Sequence, residues 1–319
     1  MNELHGPRVV AFGGGHGLAA SLQALRLVTT ELTAVVTVAD DGGSSGRLRE
    51  ELGVLPPGDL RMALAALAGD GAWGDSWQAV LQHRFPGDGP LGGHAVGNLL
   101  LCALTQTEGG VVPALDLVGR LLGAAGRVLP ASCTPLEICA LVTGLPGQPD
   151  VSREVCGQVA LATTPGSVAA LWLRPHDPPA CEEAVQAVLD ADWVVLGPGS
   201  WFTSVLPHLL VPGLREALEK TPARKVLSLN LAPQPGETAG FSPEAHLDVL
   251  LAHAPSLTLD AVLADEAAVL DTRSLGSAVE AVGARLVLAR VARGDGTARH
   301  DPQRLAAAYD SIFSGAAWR

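Results

Sequence analysis

No G-x-x-x-x-G-K-[ST] loop occurs in the chain, its nine histidines show no H-E-x-x-H or equivalent spacing, and its five cysteines form no C-x-x-C pair. The first absence excludes a Walker-type nucleotide site, and the other two leave no self-sufficient metal centre. Cys102, Cys133, Cys139, Cys156 and Cys181 are an odd count without a pairing pattern. They read as reduced thiols packed as small hydrophobes, with neither zinc nor disulfides expected. Positive charge is scarce as well, since 21 Lys and Arg stand against 33 Asp and Glu, for a net charge of −12. Phosphate backbones are held by clustered Lys and Arg, so nucleic acid is excluded as a partner. No apolar run is long enough for a membrane span. Met1–Pro7 lacks the basic and apolar regions of a signal peptide, and the reading is a cytoplasmic protein.

What the chain does have is apolar bulk, 48% hydrophobic against 17% charged residues, which is the composition of a globular chain. A length of 319 residues allows two domains. No repeat, low-complexity tract or long linker divides it, however, so a single nucleotide-binding domain over residues 1–319 is the simpler expectation. Arg8–Phe12 reads as a buried strand, followed by a glycine turn, a helix from Leu18 to Leu27 and a second strand from Leu32 to Ala39. Strand, turn, helix and strand in that order begin a βαβ unit and favour a parallel sheet with ligands at the carboxyl ends of the strands. Residues 58–122 are mainly helical in pattern. Residues 128–173 alternate short β-like runs with Gly/Pro turns and predict a small β-rich insertion. Strand–helix alternation then resumes with "DWVVLGPGS", "KVLSLNL", "TLDAVLA" and "RLVLARV", separated by helices at Cys181–Ala191, Val211–Lys220 and Pro243–His253 and closed by "PQRLAAAYDSIF". The expected fold class is α/β and Rossmann-like, mostly parallel, with flanking helices.

Four loops follow predicted strands and carry chemistry. The first, Gly13, Gly14, Gly15, His16 and Gly17, fits the permissive fingerprint G-x-G-x-x-A from Gly15 and suits a phosphate at a helix N-terminus. On its own it would also suit an NAD-dependent oxidoreductase. The second, "ADDGGSSGRLR", places Asp40 and Asp41 at a strand end, able to bind sugar hydroxyls or Mg²⁺, followed by Ser44 and Ser45. An Asx turn with Ser45 capping a helix is the plain alternative. The third, "GPGSWFTS", offers Gly197, Gly199, Ser200 and Thr203 ahead of an expected helix. About three hydrogen bonds to a charged phosphate, at roughly 1.5–3 kcal/mol each, approach the ~8 kcal/mol of a micromolar complex without a basic cluster. The fourth, "NLAPQPGETAGF", gathers Asn230, Gln234 and Glu237 after another strand, amides for base edges or sugar hydroxyls and a carboxylate for acid–base work. His94 and Asn98 are one helical turn apart and share a face.

Taken together, "GGGHGL", "VTVADDGGSSGRLREELGVLPPGDLRMALAAL", "GHAVGNLLLCAL", "LGPGSWFTSVLPHLLVPGL" and "PGETAGFSPEAHL" resemble the gluconeogenesis-factor family (YvcK-type) of the CofD-like superfamily. The likeness runs in order from Arg8 to His253. It implies a cytoplasmic, Rossmann-like regulator that binds UDP-sugars, UDP-N-acetylglucosamine above all, and links carbon metabolism to cell-wall synthesis and cell shape. The enzyme branch of the superfamily implies an alternative, 2-phospholactate transfer from a nucleotide diphosphate conjugate with Mg²⁺, in which Asp40, Asp41 and Glu237 would be catalytic. The resemblance also makes Arg299, in "RHD", a partner of the diphosphate. Three departures stand out: His16 and Pro233 where relatives have Thr, and Pro302 where relatives can carry a phosphorylatable Thr. A nucleotide sugar is thus the expected ligand, with Mg²⁺ the one candidate cofactor and a homo-oligomer left open.

Overall fold

The computed structural model describes residues 6–147, 151–234, 238 and 241–318. Seven strands form one parallel sheet: β1 (Val9–Gly13), β2 (Leu32–Val36), β3 (Arg127–Pro130), β7 (Trp193–Leu196), β8 (Arg224–Ser228), β9 (Ala261–Asp265) and β10 (Arg285–Ala289). Three more, β4 (Glu137–Thr143), β5 (Arg153–Cys156) and β6 (Ser167–Arg174), form a small antiparallel sheet with β4 in the middle. The central strands are continuous apolar runs buried along their whole length, as "VVAFG" in β1 and "WVVL" in β7. That pattern belongs to strands covered by helices on both faces. The helices are α1 (Gly15–Leu25), α2 (Gly43–Leu52), α3 (Gly58–Ala66), α4 (Ala72–Gln82), α5 (Val96–Thr107), α6 (Val111–Leu122), α7 (Gln158–Ala162), α8 (Glu182–Asp190), α9 (Pro212–Lys220), α10 (Pro243–His253), α11 (Thr272–Ala281) and α12 (Pro302–Phe313). Among the described residues no helix is long and apolar enough to cross a membrane.

The large sheet runs β10-β9-β8-β7-β1-β2-β3. The chain builds outward from β1 to β3, returns through the small sheet and builds outward the other way from β7. The direction reverses between β1 and β7, and a crevice opens at the carboxyl ends of strands at such a switch point. Helix α1 covers the sheet beside it, between α3 and α12. There Tyr309 of α12 is fully buried, its hydroxyl 3.3 Å from Ser21 Oγ of α1 and 3.0 Å from Ser228 Oγ of β8.

The α/β parallel architecture matches the expectation, and several details correct it. The β-rich segment is not one unit over 128–173, because β3 joins the large sheet and the antiparallel sheet spans residues 137–174. Within that segment "QVALA" is helical rather than extended. The helix α11 was not anticipated. Its apolar content is low, and its start is fixed by Asp271, whose carboxylate accepts from the N–H groups of Arg273 and Ser274. The expected α-helix after "GPGS" is a π-helical turn, Trp201–Val205, running into a 3₁₀ turn, Leu206–His208. The cysteines are also corrected, since Cys139 and Cys156 are disulfide-bonded. They sit directly opposite each other on β4 and β5, so the pairing is cross-strand and leaves no short spacing to read.

Tyr309→Phe removes the one hydroxyl that Ser21 and Ser228 share. With those two buried polar groups left short of a partner, unfolding free energy falls by about 1–3 kcal/mol. Urea denaturation checks this, with the midpoint lowered and the slope unchanged.

Candidate functional site

Helix α1 begins directly at the end of β1, so its N-terminus lies in the crevice between β1 and β7. The first N–H groups of a helix have no partner inside it. Gly15 N–H donates to the Asp59 carboxylate, which leaves those of His16 and Gly17, two residues that line a cleft of ≈ 570 Å³. That volume lies within the range of small-molecule sites. Gly199, Asn230, Gln234 and Arg299 line the same cleft.

The glycines are required by their neighbours. A β-carbon on Gly17 would overlap Pro198 O and lie 2.8 Å from Gly199 Cα, so the first and third loops meet backbone to backbone. A β-carbon on Gly14 would lie 2.6 Å from both Asp59 Oδ2 and Thr37 Cγ2. Gly13 ends β1, its carbonyl accepting from Thr37 N–H, and Gly197 N–H donates to Phe12 O. Asn230 grips Gly199 with both ends of its amide: Oδ1 accepts from Gly199 N–H at 2.8 Å and Nδ2 donates to Gly199 O at 2.7 Å. This corrects the expectation for the third loop, because Gly199 N–H is already engaged. Ser200 Oγ caps the π-helical turn by accepting from Thr203 N–H and also contacts the Thr203 hydroxyl. Those two hydroxyls therefore shape the loop.

The acidic pair is also rearranged. Asp40 Oδ1 accepts from Gly42 N–H at 2.9 Å, an Asx turn. Asp41 Oδ1 accepts from Val159 N–H at 3.0 Å and so holds the start of α7 in the small sheet's layer. The carboxylate that accompanies Asp40 is Asp59, in the first turn of α3. A β-carbon on Gly58 would lie 3.0 Å from Asp40 Oδ2 and overlap Ser45 Oγ, which places Ser45 in this cluster. Burial pushes the Asp59 carboxyl up to about 7, and the nearby charge of Asp40 adds to the rise against the Gly15 N–H and Arg61. Thr37 Oγ1 is buried without a hydrogen-bond partner, and its methyl shares with Asp59 the space next to Gly14. Two carboxylates are hard oxygen donors of the kind Mg²⁺ takes. Asp41 is thus engaged by α7, and the carboxylate within electrostatic reach of Asp40 is Asp59. In the sequence Asp59 looks like an ordinary acid at a helix start after Pro-Pro-Gly, and no spacing shows that α3 returns to the β1 loop.

Ser44, His94 and Asn98 bond to one another, Ser44 Oγ lying 3.0 Å from His94 Nδ1 and accepting from Asn98 Nδ2 at 3.0 Å. All three are buried and pin α2 to α5, and burial lowers the His94 pKa. They are supports of the acidic loop rather than lining of the cleft. Gln234 reaches the cleft, while Glu237 lies outside the described residues. Arg299 is joined by a residue the sequence reading did not single out, Arg293, which lines the same cleft. The two sit across a narrow turn, closed by Arg293 N–H to Arg299 O at 3.0 Å. Asp265, at the end of β9, holds the base of this turn by accepting from Val291 and Ala292 N–H groups at 2.8 and 2.9 Å.

Comparison with known proteins places this geometry. Residues 9–286 match the 2-phospho-L-lactate transferase CofD family. A protein of Mycobacterium leprae carrying the gluconeogenesis-factor name is 54% identical over 97% of this chain and 87% of its own. The gluconeogenesis factor of Halalkalibacterium halodurans is 39% identical over 83% of this chain and 79% of its own. A crystal structure of a UPF0052-family protein from Bacillus halodurans superposes with a TM-score of 0.85 at 32% identity, covering 96% of this chain and 99% of that one.

The raised Asp59 pKa has a signed consequence. The native state keeps this proton up to about pH 7, whereas the unfolded chain releases it near 3.8, so folding stability falls as pH rises between those values. Asp59→Asn removes this slope, which amounts to a few kcal/mol across the window. Urea titrations of both proteins at pH 4.5 and 7.5, without divalent cations, check it. An equal slope in the two would mean that Asp59 is ionised throughout.

Proposed function

Because the chain belongs to the CofD family, among the gluconeogenesis factors, we propose that its cleft binds a nucleoside diphosphate sugar, UDP-N-acetylglucosamine in the first place, and that it acts as a regulator reporting carbon supply to cell-wall synthesis and cell shape. The observation that carries the reading is the facing of the α1 N-terminus and the arginine turn across one cleft at the β1/β7 switch point. A helix N-terminus favours an anion through its free N–H groups and its dipole. Two N–H groups at roughly 1.5–3 kcal/mol each fall short of the ~8 kcal/mol of a micromolar complex, so Arg299 has to supply much of the rest. A guanidinium matches a diphosphate with paired N–H donors. The whole chain would act as one nucleotide-binding unit, since Asp41 ties the small sheet to the loop beside the cleft.

A second reading, phosphorus-group transfer from a nucleotide diphosphate conjugate, is favoured by Asp40 and Asp59. A divalent cation held there would offset phosphate charge and polarise a phosphoryl oxygen. In this reading Asp40 and Asp59 hold the cation and α1 orients the diphosphate beside it. The dinucleotide reading loses its main support, because Gly17 is accounted for by its packing on Pro198.

Calorimetry with UDP-N-acetylglucosamine, UDP, GDP and NAD, each with and without Mg²⁺, separates the readings. The expected outcome is micromolar UDP-N-acetylglucosamine binding without turnover, weakened at least ~10-fold, about 1.4 kcal/mol, by Arg299→Ala. Silence at millimolar ligand, about 4 kcal/mol of interaction, overturns the nucleotide-sugar reading. Tight GDP binding that requires Mg²⁺ replaces it with the transferase.

A further inference from the structure

Away from the cleft, one face of the small sheet gathers two sulfurs and two carboxylates. Cys139 and Cys156 are opposed in the β4–β5 ladder, Glu137 is one pleat from Cys139 on the same side, and Glu154 is one pleat from Cys156. The two sulfurs and a Glu137 carboxylate oxygen all lie within 4.8 Å of one another. Glu154 Oε1 lies 3.2 Å from Cys156 Sγ. We propose that, when the Cys139–Cys156 disulfide is reduced, this face becomes a thiolate–carboxylate site for a divalent cation of the zinc class.

Three features carry the proposal. The donor set of two Cys and up to two Glu is of the borderline softness that zinc selects, in the number a tetrahedral site needs. The site is also preformed, because the main chain holds the sulfurs together independently of the S–S bond. Cys139 and Cys156 have Cα atoms 4.1 Å apart within a ladder continued by Ala140 with Val155 and by Gly157 N–H to Ile138 O at 2.8 Å. Loss of the bond therefore leaves both sulfurs opposed. Charge points the same way. In the disulfide form Glu137 and Glu154 share Arg174, an excess of one negative charge. Two thiolates would raise the excess to three, and a divalent cation returns it to one.

The chemistry balances with a dithiol reductant. It delivers two electrons and two protons, the S–S bond breaks into two thiols, and the reductant becomes a disulfide. Cation binding then displaces both thiol protons to solvent. Cys139 is fully buried while Cys156 is half-buried, so Cys156 is the sulfur a reductant meets first. The chain runs from Cys156 through Gly157 into α7, whose Val159 N–H Asp41 holds. The metal site thus sits three residues along the chain from the residue that Asp41 holds, though nothing in its coordination depends on the nucleotide reading.

Reduced, desalted protein titrated with Co²⁺ under anaerobic conditions tests this. The expected result is a thiolate-to-cobalt charge-transfer band saturating at one Co²⁺ per chain and abolished by Zn²⁺. Oxidised protein shows no band, and Glu137→Gln weakens binding by about 10-fold or more. Cys133→Ser with Cys181→Ser, which removes the other thiol pair, keeps the band. Peptide-mapped alkylation of the reduced wild type gives a second readout independent of variant folding: Zn²⁺ shields Cys139 and Cys156 and leaves Cys133 reactive. No band in the reduced wild type, a band lost with Cys133 and Cys181, or unchanged alkylation of Cys139 and Cys156 overturns the proposal.

Discussion

The architecture of the cleft depends on one close approach, that of Gly17 to the Pro198–Gly199 backbone. Parallel neighbours β1 and β7 bring their following loops to the same edge of the sheet, but only a residue without a β-carbon lets the helix after β1 and the turn after β7 touch. Asn230, from the end of the next strand, then fixes the Gly199 peptide from the other side with both ends of its amide. Three successive strand exits, β1, β7 and β8, are thereby locked into one wall. A rigid wall of backbone costs a ligand little ordering free energy, which is the advantage of preorganisation.

The same locking limits what the wall can donate. With Gly199 N–H held by Asn230 and the Ser200 hydroxyl held by Thr203, the loop that looks richest in donors contributes mainly shape. In the nucleotide-sugar reading, anion recognition would fall to the α1 N-terminus and to the turn carrying Arg293 and Arg299, which is anchored through Asp265 to the end of β9. Both sides of the cleft are therefore positioned by strand ends of a single sheet.

Much of this was legible in the chain. Continuous apolar runs followed by Gly-rich turns and amphipathic stretches announced a parallel sheet, and each glycine loop was found at a strand exit. What one sequence does not carry is the return of distant segments. Asp59 and Arg293 are hidden for that reason, whereas Cys139 and Cys156 pair across adjacent strands with a separation of 17 residues that matches no short motif. Asp41, Ser44, His94 and Asn98 were read as ligand contacts because polar groups in a loop or on one helix face look alike whether they meet a ligand or another helix. In this structure their hydrogen bonds run to Val159, to one another and to α2.

In the cation-binding reading the Asp40–Asp59 cluster would tie binding to stability. A carboxyl that is buried next to a like charge favours its protonated form, and Asp59 titrates at about 7 for that reason. Near neutral pH it loses the repulsion by keeping its proton, and in that reading it would lose it equally by accepting a cation. A proton makes Asp59 a neutral neighbour to the α1 N-terminus. A cation instead adds positive charge beside the His16 and Gly17 N–H groups that would face a diphosphate. Cation and anionic ligand would then reinforce each other through a shared local field, and by linkage each would raise the affinity of the other by the same factor. In that reading, the carboxylate that destabilises the bare fold near neutral pH would be the group that makes ligand binding conditional on a cation.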